Sequence, residues 1–123
     1  MKKSFTLLEM LVVIGIISVL VSMGIASYST AQKKARDAKR KADLSAMQKV
    51  LEQCYSVNDY SYPAISGNGT TSITVDCSAK GVPLLSVTDP TTKTFTVTGG
   101  NGTTYSISIP LEIDSSFLIS QQQ

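Results

Sequence analysis

The sequence contains no histidine and no tryptophan, and it has only two cysteines among 123 residues. Without histidine the chain lacks the commonest general base and metal ligand of proteins. Two thiols without an imidazole also supply too few soft ligands for a structural zinc site. No serine lies in a nucleophile-elbow motif, so serine-rich stretches such as Ser115-Ser116 are assigned to turns and solubility. We therefore expect a protein that is not an enzyme and that holds no zinc.

Charged residues are missing from Met10 to Gln32, a run of 23 residues. A helix needs about 20 consecutive apolar residues to cross a bilayer, so this run predicts a membrane-spanning segment. The leader lysines, Lys2 and Lys3, favour a cytoplasmic N-terminus. Hydrophobic residues make up 42% of the chain. Much of that share lies in the first quarter, so the remainder supports one small domain.

A single carboxylate, Glu9, interrupts the first apolar turns. A charged side chain in a membrane helix needs a partner, and the stretch around Glu9 offers none. The nearest candidate is a positive group on another molecule. Cleavage of the chain before Phe5 would create such a group, a free α-amine four residues from Glu9 on each subunit. The position of Glu9 therefore predicts assembly of several copies.

These residues resemble the class III signal and N-terminal helix of type IV prepilins and type II secretion pseudopilins. In that family a prepilin peptidase cuts before a Phe and methylates the new amine, and the fifth mature residue is a Glu. Phe5 and Glu9 match that spacing. The resemblance implies cleavage between Ser4 and Phe5, N-methylation of Phe5, and assembly through Phe5 and Glu9. Ser4 departs from the family's usual Gly, and Ala26 stands where many pilins carry a Pro.

Two other interpretations explain part of this stretch. A cleavable secretory signal would account for the leader lysines and the apolar run, and Gly24-Ile25-Ala26 offers small residues where a signal peptidase reads. A plain single-pass anchor would account for the length and the basic leader. Neither interpretation explains why a carboxylate, Glu9, lies within the apolar stretch.

The fold class expected is α+β and pilin-like, with one long helix over about 5–57 packed by its C-terminal half on a small antiparallel β head. No proline precedes Pro63, and apolar residues recur at three- or four-residue steps into the stripe Met47, Val50, Leu51 and Cys54. Asn58-Asp59 is the expected helix stop. The predicted domains are a leader at 1–4, a membrane and filament-core helix at 5–27, an amphipathic helix at 28–57, and a loop and β head at 58–123.

Alternating residues predict the strands of the head. Phe95 and Val97 alternate with threonines, a Gly-rich turn at 99–102 follows, and Tyr105, Ile107 and Ile109 alternate with polar residues. This pattern predicts a hairpin covered by the Met47, Val50, Leu51 and Tyr55 side of the helix. The stretch 116–120 is a further candidate strand, and Ile73 with Val75 predicts a short one. The rest of 64–93 is expected to be mainly loop because Gly and Pro punctuate it.

Six basic and two acidic residues lie between Lys33 and Asp43. A basic cluster attracts phosphate, but this one lacks interleaved aromatics for base stacking. The spacing instead predicts a solvated face with three internal ion pairs four residues apart: Lys33 with Asp37, Asp37 with Lys41, and Lys39 with Asp43. We do not expect a nucleic-acid partner. The net charge is +2 and falls to zero without Lys2 and Lys3. The overall charge of the chain therefore does not point to a particular class of partner.

Cys54 and Cys77 are expected to form a disulfide, because the head should lie outside the inner membrane where disulfides persist. Two free buried thiols are the alternative. Four acidic residues could offer oxygens to Ca²⁺, as a loop does in type II secretion major pseudopilins, although no tight acidic spacing supports it: Asp76, Asp89, Glu112 and Asp114. No other cofactor is expected.

The function expected from the resemblance is that of a structural subunit of a type IV pilus-like filament. Its partners would be copies of itself, a prepilin peptidase and an inner-membrane assembly platform. The precursor would span the inner membrane once and then enter an extracellular pilus or a periplasmic pseudopilus. The first alternative is a pseudopilin of a type II secretion or DNA-uptake system. The second alternative is a membrane-tethered binding module.

Overall fold

The computed structural model describes residues 4–100 and 102–121. It divides the chain into two compact units, one ending at Lys33 and the other beginning at Lys34. Helix α1, Leu7–Val57, is the only helix of more than one turn in the described part of the chain. The α+β class expected from the sequence is confirmed.

Helix α1 begins at Leu7 rather than at Phe5 and ends at Val57. The later start follows from Thr6, which occupies the position that caps the helix. The end lies where the sequence predicted it. Asp59 and Tyr60 adopt positive φ angles of 52° and 56°, a left-handed conformation in which an α-helix cannot continue. The side-chain amide of Asn58 donates to the carbonyl of Ser61 at 2.9 Å and holds this turn.

The first unit consists of the N-terminal part of α1. Its most apolar 18-residue window has a mean hydropathy of 2.5, and none of that window is buried. By length and composition this segment is able to cross a membrane. Two hydroxyls inside it bond to carbonyls of the preceding turn, Ser18 to Ile14 at 2.6 Å and Ser22 to Ser18 at 3.0 Å. Such bonds allow a serine to lie in an apolar helix without an unsatisfied polar group.

The second unit carries two three-stranded antiparallel sheets beside the C-terminal part of α1. Their strands are β1 Ile65–Ser66, β2 Ser72–Val75, β3 Leu85–Thr88, β4 Thr96–Gly99, β5 Tyr105–Pro110 and β6 Ser116–Ser120. The strand orders are β1-β2-β3 and β4-β5-β6. A one-turn 3-10 helix, Ser78–Lys80, lies between β2 and β3.

The predicted hairpin is confirmed as β4 and β5, with Val97 opposite Ile107. Pro110 is the last residue of β5, where its missing N–H costs no ladder bond. The candidate strands at 72–75 and 116–120 are also present. The turn at 99–102 includes Asn101, which lies outside the described residues.

The stretch 64–93 contains more sheet than the sequence predicted. Val87 of β3 lies opposite Ile73 of β2, and Val75 lies opposite Leu85. Each of these strands has only two to four residues, with the Gly and Pro residues placed between them. A run that short gives little periodicity, so the sequence predicts short extended pieces here and does not predict that they pair into a sheet.

The core of the second unit forms where α1 meets both sheets. Leu44, Met47 and Leu51 of the helix are fully buried. They share one cluster with inward-facing residues of β2, β3, β5 and β6, among them Ile73, Val75, Val87, Ile107, Ile109 and Ile119. Burying each such side chain contributes about 1.5–3 kcal/mol. The helix face that the sequence assigned to cover the hairpin is therefore confirmed.

Candidate functional site

The first candidate site is the N-terminal end of α1, where Thr6 and Glu9 bond to each other. The backbone N–H and the hydroxyl of Thr6 both donate to Glu9 Oε2 at 2.8 Å. In return, the backbone N–H of Glu9 donates to Thr6 Oγ1 at 3.2 Å. This reciprocal arrangement is a capping box, which satisfies two N–H groups that a helix start leaves without partners.

The capping box corrects one expectation from the sequence. We expected Glu9 to have no partner within its own stretch, but Thr6 supplies two donors to it. The signal was present, because a Thr followed three residues later by a Glu is the usual sequence pattern of a capping box. The box leaves the other carboxylate oxygen, Oε1, with no hydrogen bond among residues 4–100 and 102–121. Glu9 can therefore accept a further donor without releasing Thr6.

The Ser4–Phe5 bond lies in the non-helical segment before α1, and both residues are exposed. Phe5, Leu7 and Leu8 are 77%, 83% and 72% exposed. A peptidase needs an accessible, extended substrate, and a helical bond would first have to unfold. The structure thus presents the predicted cleavage bond outside the helix and leaves the apolar side chains around it free to contact lipid or another subunit.

The second feature is an ion-pair network centred on Arg40, which is 2% exposed. Its Nε donates to Asp89 Oδ1 at 2.5 Å and its Nη2 to Asp89 Oδ2 at 3.3 Å. Its Nη1 donates to Asp37 Oδ1 at 2.7 Å and to Glu112 Oε1 at 3.0 Å, and its Nη2 to the hydroxyl of Thr91 at 2.8 Å. One guanidinium thus ties the helix to the loops that follow β3 and β5.

Two further helix residues complete the network. Arg36 binds Glu112 with two parallel bonds, Nε to Oε1 at 2.7 Å and Nη2 to Oε2 at 2.6 Å. Asp37 accepts the backbone N–H groups of Glu112 and Ile113 at 2.9 Å each. The loop after β5 is therefore held on the helix both by charge and by its backbone.

The network shifts the pKa values of its members in the directions that favour charge. Burial alone would raise the pKa of Asp89, but bonds from Arg40 and from Thr91 and Lys93 outweigh it and lower the pKa to about 2. Arg36 and then Arg40 lower the pKa of Glu112 to about 2. The pKa of Asp37 is also lowered, because the two backbone N–H groups and Arg40 outweigh its burial. These carboxylates are ionised at neutral pH.

The network replaces the three internal ion pairs that the sequence predicted. Asp37 is buried and bonds to Arg40 and the backbone, while Lys41 binds Asp114 at 2.9 Å. Within the described part of the chain Lys33 and Lys39 form no ion pair. The error has a clear cause: apart from Asp37, which lies three residues from Arg40, the acidic partners are 49 to 76 residues away in sequence and no local pattern reveals them.

The four acidic residues considered for Ca²⁺ are engaged elsewhere. Asp89, Glu112 and Asp114 each bind a helix cation, and Asp76 caps the 3-10 helix through the N–H and hydroxyl of Ser78. No three His, Cys, Asp or Glu side chains in the described ranges are grouped so that they could hold a metal ion.

Cys54 and Cys77 form the expected disulfide, with their Cα atoms 6.0 Å apart. Both are buried, and they pack with Val82 and Val50 in a small second cluster. The bridge ties the last turns of α1 to the segment that follows β2. The disulfide thus attaches a connecting segment to the C-terminal end of α1, as the Arg40 network attaches the loops at 89 and 112 to an earlier part of the helix.

Comparison with protein families adds one finding. Residues 1–25 match the model of the prokaryotic N-terminal methylation motif. The chain carries a class III prepilin signal. This signal is the one found in type IV pilins and pseudopilins, and it supports that family for the chain. Neither the curated proteins nor the solved structures gave a match to the chain.

The prepilin signal implies processing by a prepilin peptidase and membrane-associated pilus assembly. It includes every residue of the capping box and the exposed bond before Phe5. Together with the apolar N-terminal helix it is consistent with a membrane-anchored precursor. Proteins with this signal are typically structural rather than enzymatic.

Proposed function

We propose that the chain is a structural subunit of a type IV pilus-like filament. A prepilin peptidase cleaves between Ser4 and Phe5 and methylates the Phe5 amine. The subunit then stays in the inner membrane through its apolar helix until an assembly platform adds it to the filament. The observation that carries this proposal is a carboxylate, Glu9, placed at the start of a wholly exposed apolar helix inside a matched prepilin signal.

The geometry of Glu9 supports a contact between subunits. Its Oε2 is bound by Thr6, while Oε1 has no hydrogen bond among the residues that the structure describes. The amine of a neighbouring Phe5 is a cation that can bind Oε1 and leave the capping box intact. A carboxylate left without a cation among packed apolar helices costs several kcal/mol. The contact therefore selects one axial register between neighbours more than it adds stability.

The test separates the charge of Glu9 from its capping role. Glu9→Gln keeps an oxygen that can cap the helix but removes the charge. Thr6→Val keeps the charge but removes the hydroxyl that donates to Glu9 Oε2 and accepts the Glu9 N–H. In cells carrying each variant, we expect Glu9→Gln to leave the subunit membrane-bound and to abolish filaments in electron micrographs of sheared surface material. Thr6→Val should retain filaments in part. Normal filaments from Glu9→Gln would show that the charge has no role in assembly.

The same micrographs discriminate the alternatives. Long filaments of the wild-type chain favour a pilus subunit. Their absence, with a secretion or DNA-uptake defect on deletion of the gene, favours a pseudopilin. Absence of both favours a tethered binding module, and the proposal would then be rejected.

A further inference from the structure

An exposed patch of charged and aliphatic side chains lies on the second unit where α1 meets the loop after β5. Lys34, Asp37, Ala38 and Lys41 line it from the helix, and Ile113 and Asp114 line it from the loop, around a cleft of about 280 Å³. We call this the Ile113 patch. Ile113 is 49% exposed although it is a large aliphatic residue. About half of its surface therefore remains accessible on the described part of the chain.

The exposure of Ile113 is imposed by its surroundings. Asp37 accepts the N–H groups of both Glu112 and Ile113, and the preceding Leu111 is buried in the core at 6% exposure. The loop is thus fixed at three successive residues. A loop held in this way presents the aliphatic side chain at a constant place instead of folding it inward.

Of the cations beside Ile113, Lys34 is the one without an acidic partner among the described residues. The acids nearest in the fold are already engaged, since Asp37, Asp89 and Glu112 bind Arg36 and Arg40. In the part of the chain that the structure describes, Lys34 forms no ion pair. The Lys41–Asp114 pair is exposed, with side chains 42% and 60% accessible, and such pairs contribute little. A surface that combines aliphatic and lysine side chains fits an interface between lipid tails and anionic headgroups.

Chain connectivity places this patch near a membrane surface. Lys34 comes two residues after Gln32, the last residue of the charge-free run, which is about 3 Å along an α-helix. The polar headgroup layer is about 5–7 Å thick on each side of the hydrocarbon core. If the run spans the bilayer, as the proposed function requires, Lys34 therefore lies within the headgroups.

We infer that in the membrane-anchored precursor the Ile113 patch docks on the anionic phospholipid surface of the leaflet from which the helix emerges. Ile113 enters the interface, and Lys34 binds lipid phosphate. The inference rests on the membrane anchoring in the proposed function. Each lysine at such a surface is expected to favour the docked state about fivefold on anionic over neutral lipid. Docking would hold the head against the membrane until a neighbouring subunit replaces the lipid at the patch.

The absence of tryptophan provides a direct test. Ile113→Trp introduces the only indole of the chain at the patch. Leu118→Trp is the matched control, because Leu118 is 58% exposed on the outer face of β6. The full-length variants are placed one per nanodisc, with either phosphatidylcholine alone or a mixture with phosphatidylglycerol. Indole emission and its quenching by lipid spin-labelled at the headgroup are then measured.

We expect a blue shift and at least twofold stronger quenching for Ile113→Trp than for Leu118→Trp, in discs that contain phosphatidylglycerol. Adding Lys34→Gln to Ile113→Trp should lower the docked fraction several-fold, while Lys80→Gln, at an exposed lysine of the 3-10 helix, should not. Slower amide hydrogen exchange at 111–114 of the unmodified chain in anionic discs, without a change at 116–120, checks the result without an introduced indole.

Equal quenching at the two positions would overturn the inference and leave the membrane anchoring intact. So would quenching at Ile113→Trp that is the same with and without phosphatidylglycerol. The nanodisc holds one copy, so protection that appears only in discs with two copies would assign the patch to a second subunit and would also overturn it. If the chain does not stay with the discs at all, the anchoring itself is refuted, and the inference with it.

Discussion

Replacing Arg40 tests how the second unit is held together. Arg40→Met keeps much of the side-chain volume but removes all five hydrogen bonds that the guanidinium donates. Asp89, whose side chain is fully buried, then keeps its charge without a cation. Removing one partner of a buried ion pair costs about 3–5 kcal/mol. Asp89 retains the hydroxyl and N–H of Thr91 and the N–H of Lys93, so we expect the lower end of that range.

The assay is urea unfolding of the full-length protein in detergent, followed by near-ultraviolet circular dichroism. The tyrosine cluster reports on the second unit, because the ring centroids of Tyr55 and Tyr105 each lie 4.6 Å from that of Tyr62. Lys41→Met is the matched control, since it breaks an exposed pair and should cost about 1 kcal/mol or less. Adding Asp89→Asn to Arg40→Met should recover part of the loss. A cost for Arg40→Met no larger than that of the control would refute the reasoning.

Three further predictions concern the second unit. The folded pKa values of Asp89 and Glu112, both about 2, lie below their ordinary values of 3.8 and 4.5; the stability they confer is therefore full above about pH 5 and is lost as pH falls through 2. Urea midpoints between pH 7 and pH 2 check this, and a flat profile would contradict it. Removing the disulfide with Cys54→Ser and Cys77→Ser should cost about 3 kcal/mol, because the bridge closes a loop with a sequence separation of 23; an unchanged urea midpoint would count against it. Met47→Ala, at a fully buried position, should cost about 2–5 kcal/mol, and a loss below 1 kcal/mol would mean that α1 does not pack on the sheets as described.

The sequence predicted those parts of the fold whose signals are local. An unbroken helix without proline, a stop at Asn58-Asp59, and a hairpin with alternating residues all follow from neighbouring side chains. The face of α1 that covers the hairpin could be predicted because its apolar stripe widens at Met47. In each case the information lies within one or two turns or strands.

The parts that the sequence did not predict depend on distant partners. Arg40 binds Asp89 across 49 residues and Glu112 across 72, and no spacing in the helix distinguishes it from the exposed Lys39. The first sheet was hidden because its strands have two to four residues. The capping box of Thr6 and Glu9 is different, since its Thr-x-x-Glu pattern is local and is present in the sequence.

The mass of the mature N-terminus, measured on protein purified from the cells that make it, tests the central claim most directly. The account predicts a chain that begins at Phe5 and carries one added methyl group on its amine. A chain that keeps Met1 to Ser4, or one that begins after Ala26 as a conventional signal cut would leave it, would contradict the assignment of a prepilin-type subunit.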